Sequence, residues 1–216
     1  MPRLLFEKTG DSIWISHLDL MRVFQRAFRR AGLALKHSQG FTPRAIVSIA
    51  LPLSVGVQSE CELLDYELTD GATVTPEELN AKLPDGIRVL SVIENGRKIK
   101  ELTHLRAVLK LTYDAGVPSH AAEDLQKLYE REHLMIEKHS RKGKTETDIL
   151  PMLSDKTITQ IDQNHIQMEV LVCAQNPALN PQLLITAIEL YAPELLPDHT
   201  EIRRVEVYDS EGNVFR

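Results

Sequence analysis

Ser16-His17-Leu18-Asp19-Leu20-Met21-Arg22-Val23-Phe24-Gln25-Arg26-Ala27-Phe28-Arg29-Arg30-Ala31-Gly32 is the stretch on which the fold turns. Ser16 is a good N-cap, and Asp19 follows three residues later, the spacing of a capping box. Leu20, Phe24, Ala27, Phe28 and Ala31 recur at helical spacing and should face a core. Gly32 supplies the stop. Before the helix, residues 3–8 alternate and predict a strand, Thr9-Gly10-Asp11 a turn, and Ser12 to Ile15 a further extended stretch. After Gly40-Phe41-Thr42-Pro43, the run Ile46 to Leu53 predicts a buried strand and Cys61 to Leu68 another. Thr75-Pro76-Glu77-Glu78 opens a short helix, with Thr75 as cap, Pro76 at the first position and acids in the first turn. Pro84-Asp85-Gly86 is a turn, and Ile87 to Ile93 a strand.

The order is strand, helix, strand, strand, helix, strand, the ferredoxin-like pattern. It recurs after a polar stretch, residues 94–103. Leu105 to Tyr113 predicts a strand, Ser119 to Arg131 a helix, and Leu134 to Ser140 and His165 to Cys173 two strands, with Thr157 to Ile161 as an added short strand. Asn180-Pro181 opens a helix to about Leu190, and Glu201 to Tyr208 is a last strand. The expected fold is α+β: two tandem ferredoxin-like βαββαβ halves with antiparallel sheets, 1–97 and 98–216. The halves share order rather than obvious sequence identity.

The 216 residues are 43% hydrophobic and 26% charged, which suits one large domain or two small ones. The net charge of −6 excludes a global pull toward nucleic acid or anionic membrane, so any basic site must be local. Two cysteines, Cys61 and Cys173, form no metal-binding or cluster-binding motif, and no cofactor or metal is expected. Met1 to Lys8 has no long apolar core, and no apolar run approaches the ~18 residues of a membrane helix. A cytoplasmic protein without a membrane partner is the expectation.

Charge is nonetheless divided within the first half. From residue 17 to 44 there are six Arg or Lys residues and one acid, Asp19; from 45 to 96 there are nine acids against Lys82 and Arg88. Arg22, Arg26, Arg29 and Arg30 fall at i, i+4, i+7 and i+8, on one helix face. Lys36, His37 and Arg44 follow. Such a face can be merely solvated, can dock a protein, or can bind phosphates, for which the planar guanidinium fork is suited. The helix dipole singles out Arg22 and Arg26, in the helix's first half, as the pair to matter most to a bound anion. A second basic cluster, Lys138-His139-Ser140-Arg141-Lys142-Gly143-Lys144, sits at an expected hairpin, and a flexible basic hairpin suits nucleic acid as well as solvent. Arg141, Lys142 and Lys144 are its candidates. Aromatic residues are 5% of the chain and no strand carries alternating aromatics, so any RNA contact should rest on backbone and shape.

Catalytic signals are sparse. His17 and His37, with flanking arginines, have the residue types for acid–base cleavage of RNA, and equally those of a helix-start residue and an exposed loop residue. Gly40-Phe41-Thr42-Pro43 is a turn whose amides could meet an anion. Asp148 precedes Pro151 by three residues and should cap a turn. No nucleophile elbow, Walker loop or zinc-protease motif is present.

Several spaced motifs agree in order with one known family. Phe6-Glu7-Lys8-Thr9-Gly10-Asp11, Ser16-His17-Leu18-Asp19-Leu20-Met21-Arg22, Arg26-Ala27-Phe28-Arg29-Arg30-Ala31-Gly32, Ser38-Gln39-Gly40-Phe41-Thr42-Pro43 and Leu51-Pro52-Leu53-Ser54-Val55-Gly56-Val57-Gln58-Ser59-Glu60 carry the match. The chain resembles the radical-SAM-linked protein family of unknown function. That resemblance implies a partner, a radical-SAM protein encoded nearby or fused, often with a cobalamin-binding-type domain. It also implies a setting in RNA or ribosome modification. The radical-SAM cysteines are absent here, so the chain is expected to be an accessory protein and not itself the enzyme. The family's usual histidine after the Gly-Phe-x-Pro turn is replaced by Arg44, which suits an anion-binding role better than a catalytic base. Two alternatives stand beside an RNA-binding accessory protein. One is a metal-independent endoribonuclease, by analogy with tandem ferredoxin-like CRISPR ribonucleases; the other is a purely protein-docking adaptor.

Overall fold

A computed structural model describes residues 1–69, 71–140 and 143–216. The protein is α+β, with antiparallel strand pairing and, among the described residues, four α-helices. Its chain divides into two compact units. The first is Met1–Glu101 together with Val214–Arg216, and the second is Leu102–Asn213. The division thus falls within the polar stretch 94–103, four residues beyond the expected boundary after residue 97, and the last three residues return to the first unit.

In the first unit the elements are β1 (Arg3–Lys8), α1 (His17–Arg30), β2 (Val47–Ile49), β3 (Gln58–Tyr66), α2 (Pro76–Asn80) and β4 (Ile87–Ile93). Strands run in the order β4-β1-β3-β2, each pair antiparallel, with Leu4 opposite both Leu64 and Val92. The helix read from its cap forms as expected. Ser16 Oγ accepts the Asp19 backbone N–H at 3.2 Å, and α1 ends at Arg30. Gly32, at φ +76°, takes the left-handed conformation that a side chain would resist, and Leu33 N–H returns to Phe28 O at 3.0 Å. Leu20, Phe24, Ala27 and Phe28 are fully buried on this helix, and Ala31 packs partly against the same core. Phe24 meets Phe6 of β1 edge-on at 4.7 Å between ring centroids, and Phe28 meets Tyr66 of β3 at 5.1 Å. Each such ring contributes ~1.5–3 kcal/mol by leaving water, so α1 is fixed to the sheet by its apolar stripe and its arginines are left outside.

Two local expectations fail: of the run Ile46 to Leu53 only Val47–Ile49 is strand, and Ser12 to Ile15 does not continue extended. Residues 10–14 form a 3₁₀ turn rather than an extended stretch. Lys8, itself 1% exposed, donates from Nζ to Ile13 O at 2.9 Å and Ile15 O at 2.8 Å, and Ser12 Oγ donates to Asp85 O at 2.6 Å. These side chain–backbone bonds satisfy carbonyls that a strand ladder would otherwise take up. The periodicity of the segment carries no trace of them.

In the second unit the elements are β5 (His104–Thr112), α3 (Ala121–Leu128), β6 (Met135–Ser140), β7 (Gly143–Asp148), β8 (Leu153–Gln160), β9 (His165–Cys173), α4 (Gln182–Tyr191) and β10 (His199–Tyr208). Its sheet runs β10-β5-β9-β8, again antiparallel throughout. Leu105, Ala107, Leu109 and Leu111 are buried opposite Val172, Val170, Met168 and Ile166, the one-face alternation that the sequence shows in both strands. The correction concerns the middle of this unit. Leu134 to Ser140 was expected in the main sheet and 157–161 as an extra strand. Instead β6 pairs with β7 in a separate two-stranded hairpin, and β8 is the sheet strand. β8 is mostly exposed along its length and bulges between Leu153 and Asp155, so its polar run Ser154-Asp155-Lys156 hides it.

Candidate functional site

The end of α1 sets the site. Once Gly32 has reversed the chain, residues 34–37 run extended, with Leu35 bridged to Leu68 and His37 to Ala45. Lys36 N–H donates to Glu67 O and Ile46 N–H to Lys36 O, both at 2.8 Å. This segment, the residues that follow Pro43, and one side of α1 enclose a cavity of about 640 Å³. Gln25, Arg29, Leu33, Leu35, His37 and Arg44 are among its walls. Loop 38–44 closes beside it, where Ser38 N–H donates to Arg44 O at 2.8 Å and Arg44 N–H to Ser38 Oγ at 3.1 Å.

The basic residues of the sequence have unequal standing around this cavity. Arg29 and Arg44 line it, both exposed, and neither has an acid partner among the described residues. No Asp or Glu is among the described lining residues. Lys36 is drawn off by Glu67 at 2.9 Å. Arg22 is held by Asp19 at 2.8 Å, and Arg26 lies near the same carboxylate. The Ser16 hydroxyl, and after it Arg22, holds the Asp19 carboxyl below its usual value. Arg30 donates from Nη2 to the Lys82 carbonyl. The helix face is therefore continuous in sequence but divides in effect: Arg22 and Arg26 share a counter-ion, Arg30 ties to backbone, and Arg29 faces the cavity. Arg44, arriving from the loop, is the second positive wall. Helical spacing alone could not have joined Arg29 to Arg44, since the turn at Gly32 and the bridges of residues 35 and 37 do so.

The two histidines are not brought together. His37 lines the cavity, exposed, with Nδ1 3.0 Å from Leu35 O. His17 is the first residue of α1, eight positions before Gln25, which is on the order of 12 Å along the helix at ~1.5 Å per residue. Its Nδ1 is buried without a hydrogen-bond partner among the described residues. His37 stands at the cavity and His17 at the far end of the helix, so they are not placed as an acid–base pair on one phosphate.

In the second unit, Arg141 and Lys142 lie outside the described residues. Lys144, on β7, is exposed and pairs with Glu137 of β6 at 2.8 Å. Asp148 does cap its turn, as its position suggested. Its Oδ1 accepts from Leu134 N–H at 3.0 Å and Leu150 N–H at 3.2 Å, and its Oδ2 meets His133 Nδ1 at 2.8 Å. The Leu134 amide, then His133, holds the Asp148 carboxyl below its usual range. No group of His, Cys, Asp or Glu among the described residues could hold a metal ion. No helix among them is long and apolar enough to cross a membrane.

These features define an α+β protein with a basic cavity in its first unit that no described Asp or Glu lines. The chain belongs to the family described as an uncharacterized protein conserved in bacteria (DUF2344), whose model matches residues 2–181. Comparison with curated proteins gave no match. Among solved structures the chain is similar to one from a Cbf5-Nop10-Gar1 complex, with 12% identity and a TM-score of 0.52, over 95% of this chain and 48% of that one. A chain of the archaeal box H/ACA sRNP Nop10-Cbf5 complex gives 12% identity and a TM-score of 0.43, over 94% and 46%. An unknown protein from Galdieria sulphuraria gives 9% and 0.26, over 96% of each chain. This chain thus spans about half the length of the two Cbf5-complex chains. The first likeness is one of fold; the other two, with TM-scores below 0.5, carry no argument.

Proposed function

We propose that this chain is a cytoplasmic accessory protein that binds RNA phosphates through the cavity of its first unit and works beside a radical-SAM enzyme. The observation that carries the phosphate reading is the pair Arg29 and Arg44, two guanidiniums without acid partners among the described residues, on a cavity that no described acid lines. An uncompensated guanidinium pair in a concave site favours a ligand with spread negative charge, and each fork can take two phosphate oxygens. The net charge of −6 fits a local site of this kind and argues against a generally sticky surface. The basic hairpin around Lys138–Lys144 is proposed as a second contact. We read each unit as a ferredoxin-like half, on the strand orders β4-β1-β3-β2 and β10-β5-β9-β8.

The partner half of the proposal rests on the sequence resemblance; these residues carry no radical-SAM cysteine motif, so on this reading the radical chemistry belongs to a protein encoded nearby or fused. Cleavage by His17 and His37 as a pair is disfavoured because His37 lines the cavity and His17, at the start of α1, does not. The test is recovery of the native protein from its own cells, with identification of bound protein and sequencing of bound RNA. Co-recovery of a radical-SAM protein and a defined set of RNAs is expected. Recovery of the enzyme with no nucleic acid would replace RNA binding with protein docking.

A further inference from the structure

The chain has five phenylalanines. Phe6, Phe24, Phe28 and Phe215 are each 0% exposed, whereas Phe41 is 110% exposed. An isolated apolar residue on a surface is ordinary. Phe41 differs in where it stands. It occupies the tip of loop 38–44, whose neck is closed by the two Ser38–Arg44 hydrogen bonds and by the His37–Ala45 bridge beneath them. Pro43 and Arg44, two and three residues on, are cavity wall. Pro43 also fixes its own φ, which stiffens the arm that carries the ring. A bare aromatic ring thus stands on the loop that carries Arg44 to the cavity wall, three residues before it in the chain, and it contributes nothing to the core.

We infer that Phe41 is a stacking platform for an unpaired base, so that the cavity selects single-stranded RNA over duplex. The inference rests on the RNA-binding reading above and adds the state of the RNA. A ligand satisfying this site must pair anionic groups for Arg29 and Arg44 with a flat, exposed π-face for Phe41. A nucleotide in a single strand or loop offers both. In an A-form duplex the base faces are already stacked on one another, and recognition there falls to the shallow groove and backbone. Stacking on one aromatic side chain tolerates any base, so no strong sequence preference follows. The scarcity of aromatics in the chain argues against a stacking sheet, but one exposed ring at the right place suffices for one base.

The experiment measures fluorescence anisotropy of a labelled uridine 12-mer, and of a blunt RNA duplex of the same length, with the full chain. Wild type is compared with Phe41→Ala, Phe41→Trp and the double variant Arg29→Gln/Arg44→Gln, all checked for an unchanged melting temperature. The expected result is tighter binding of the single strand, weakened about 5- to 150-fold by Phe41→Ala and retained by Phe41→Trp, with duplex affinity unmoved by either. Equal affinity for both RNAs, or single-strand binding by Phe41→Ala as tight as wild type, would overturn the stacking inference. If binding is then still lost in the arginine double variant, the phosphate reading stands without it. If wild type binds neither RNA, both are overturned.

Discussion

Removing the carboxylate of Asp65 should unfold the first unit far more readily than any change at its basic surface. Arg3 is 1% exposed, and its Nε donates to Asp65 Oδ1 at 2.6 Å and its Nη2 to Asp65 Oδ2 at 3.1 Å. Nη2 also donates to Arg97 O at 2.7 Å, while Nη1 has no partner among the described residues. The guanidinium lies 5.3 Å from the ring centroid of the buried Phe215, and that of Arg97 lies 5.2 Å from the same ring. Asp65→Ala therefore leaves a buried cation with one carbonyl in place of a bidentate carboxylate. The cost expected for breaking such a pair from one side is ~3–5 kcal/mol. The variant Arg3→Met/Asp65→Leu removes both charges and should recover at least half of that loss, since the desolvation penalty disappears with the cation. Urea denaturation monitored by circular dichroism, with hydrogen exchange at β1 and β3 to assign the transition to this unit, reads both values. A loss below ~1 kcal/mol for Asp65→Ala, or a double variant no more stable than the single, would refute this account of how β1, β3 and the C-terminal residues are joined.

Other expectations follow from particular contacts. Gly86→Ala should destabilise the first unit by several kcal/mol. Gly86 holds φ +80°, a built Cβ runs into the Thr9 carbonyl oxygen, and the Thr9 N–H to Gly86 O bond of 2.7 Å prevents retreat; thermal melting reads the loss. Asp148 should titrate below the ordinary ~3.9 of an aspartate. A depressed folded-state value means that its clamp on Leu134 and Leu150 is fully present above pH ~4 and is lost as pH falls through the folded value. Carboxyl NMR titration of Asp148, with the Leu134 and Leu150 amide shifts followed alongside, should show one common transition below pH 4. A midpoint at or above the ordinary value would contradict the clamp.

Much of the architecture was legible because it lies in local chemistry. The Ser16 cap, the Gly32 stop and the Thr75 cap each act within a few residues and each forms as read, but the reciprocal capping box forms at Thr75 with Glu78 and not at Ser16, whose hydroxyl donates to Asp19 Oδ2. Strands with one buried face, β5 and β9, announced themselves by alternation, and Ile87–Ile93 and His165–Cys173 hold their expected limits. What stayed hidden depends on distant partners. The 3₁₀ turn at residues 10–14 is made by Lys8 and the Asp85 carbonyl, and α3 begins at Ala121 after His120 adopts φ +60°. β8 carries too little apolar pattern to outbid the hairpin strand β6 in a reading of sequence alone. For the site, residue type was legible and grouping was not. Six basic residues between 17 and 44 stand out, yet only the positions of Asp19, Glu67 and the Lys82 carbonyl show which are taken up. The helix-dipole argument favoured Arg22 and Arg26. The ion pair to Asp19 shifts the weight to Arg29, and the turn at Gly32 brings Arg44 to join it.

The central claim is tested most directly by the salt dependence of single-stranded RNA binding in two double variants. Each phosphate held by a cation contributes a slope of about −0.7 in log K against log salt for a single strand. Arg29→Gln/Arg44→Gln should therefore flatten the slope by about 1.4. Arg22→Gln/Arg26→Gln should flatten it by less than half as much, because Asp19 already neutralises part of that pair. A wild-type slope in the Arg29→Gln/Arg44→Gln variant, with the fold intact, would contradict phosphate binding at this cavity.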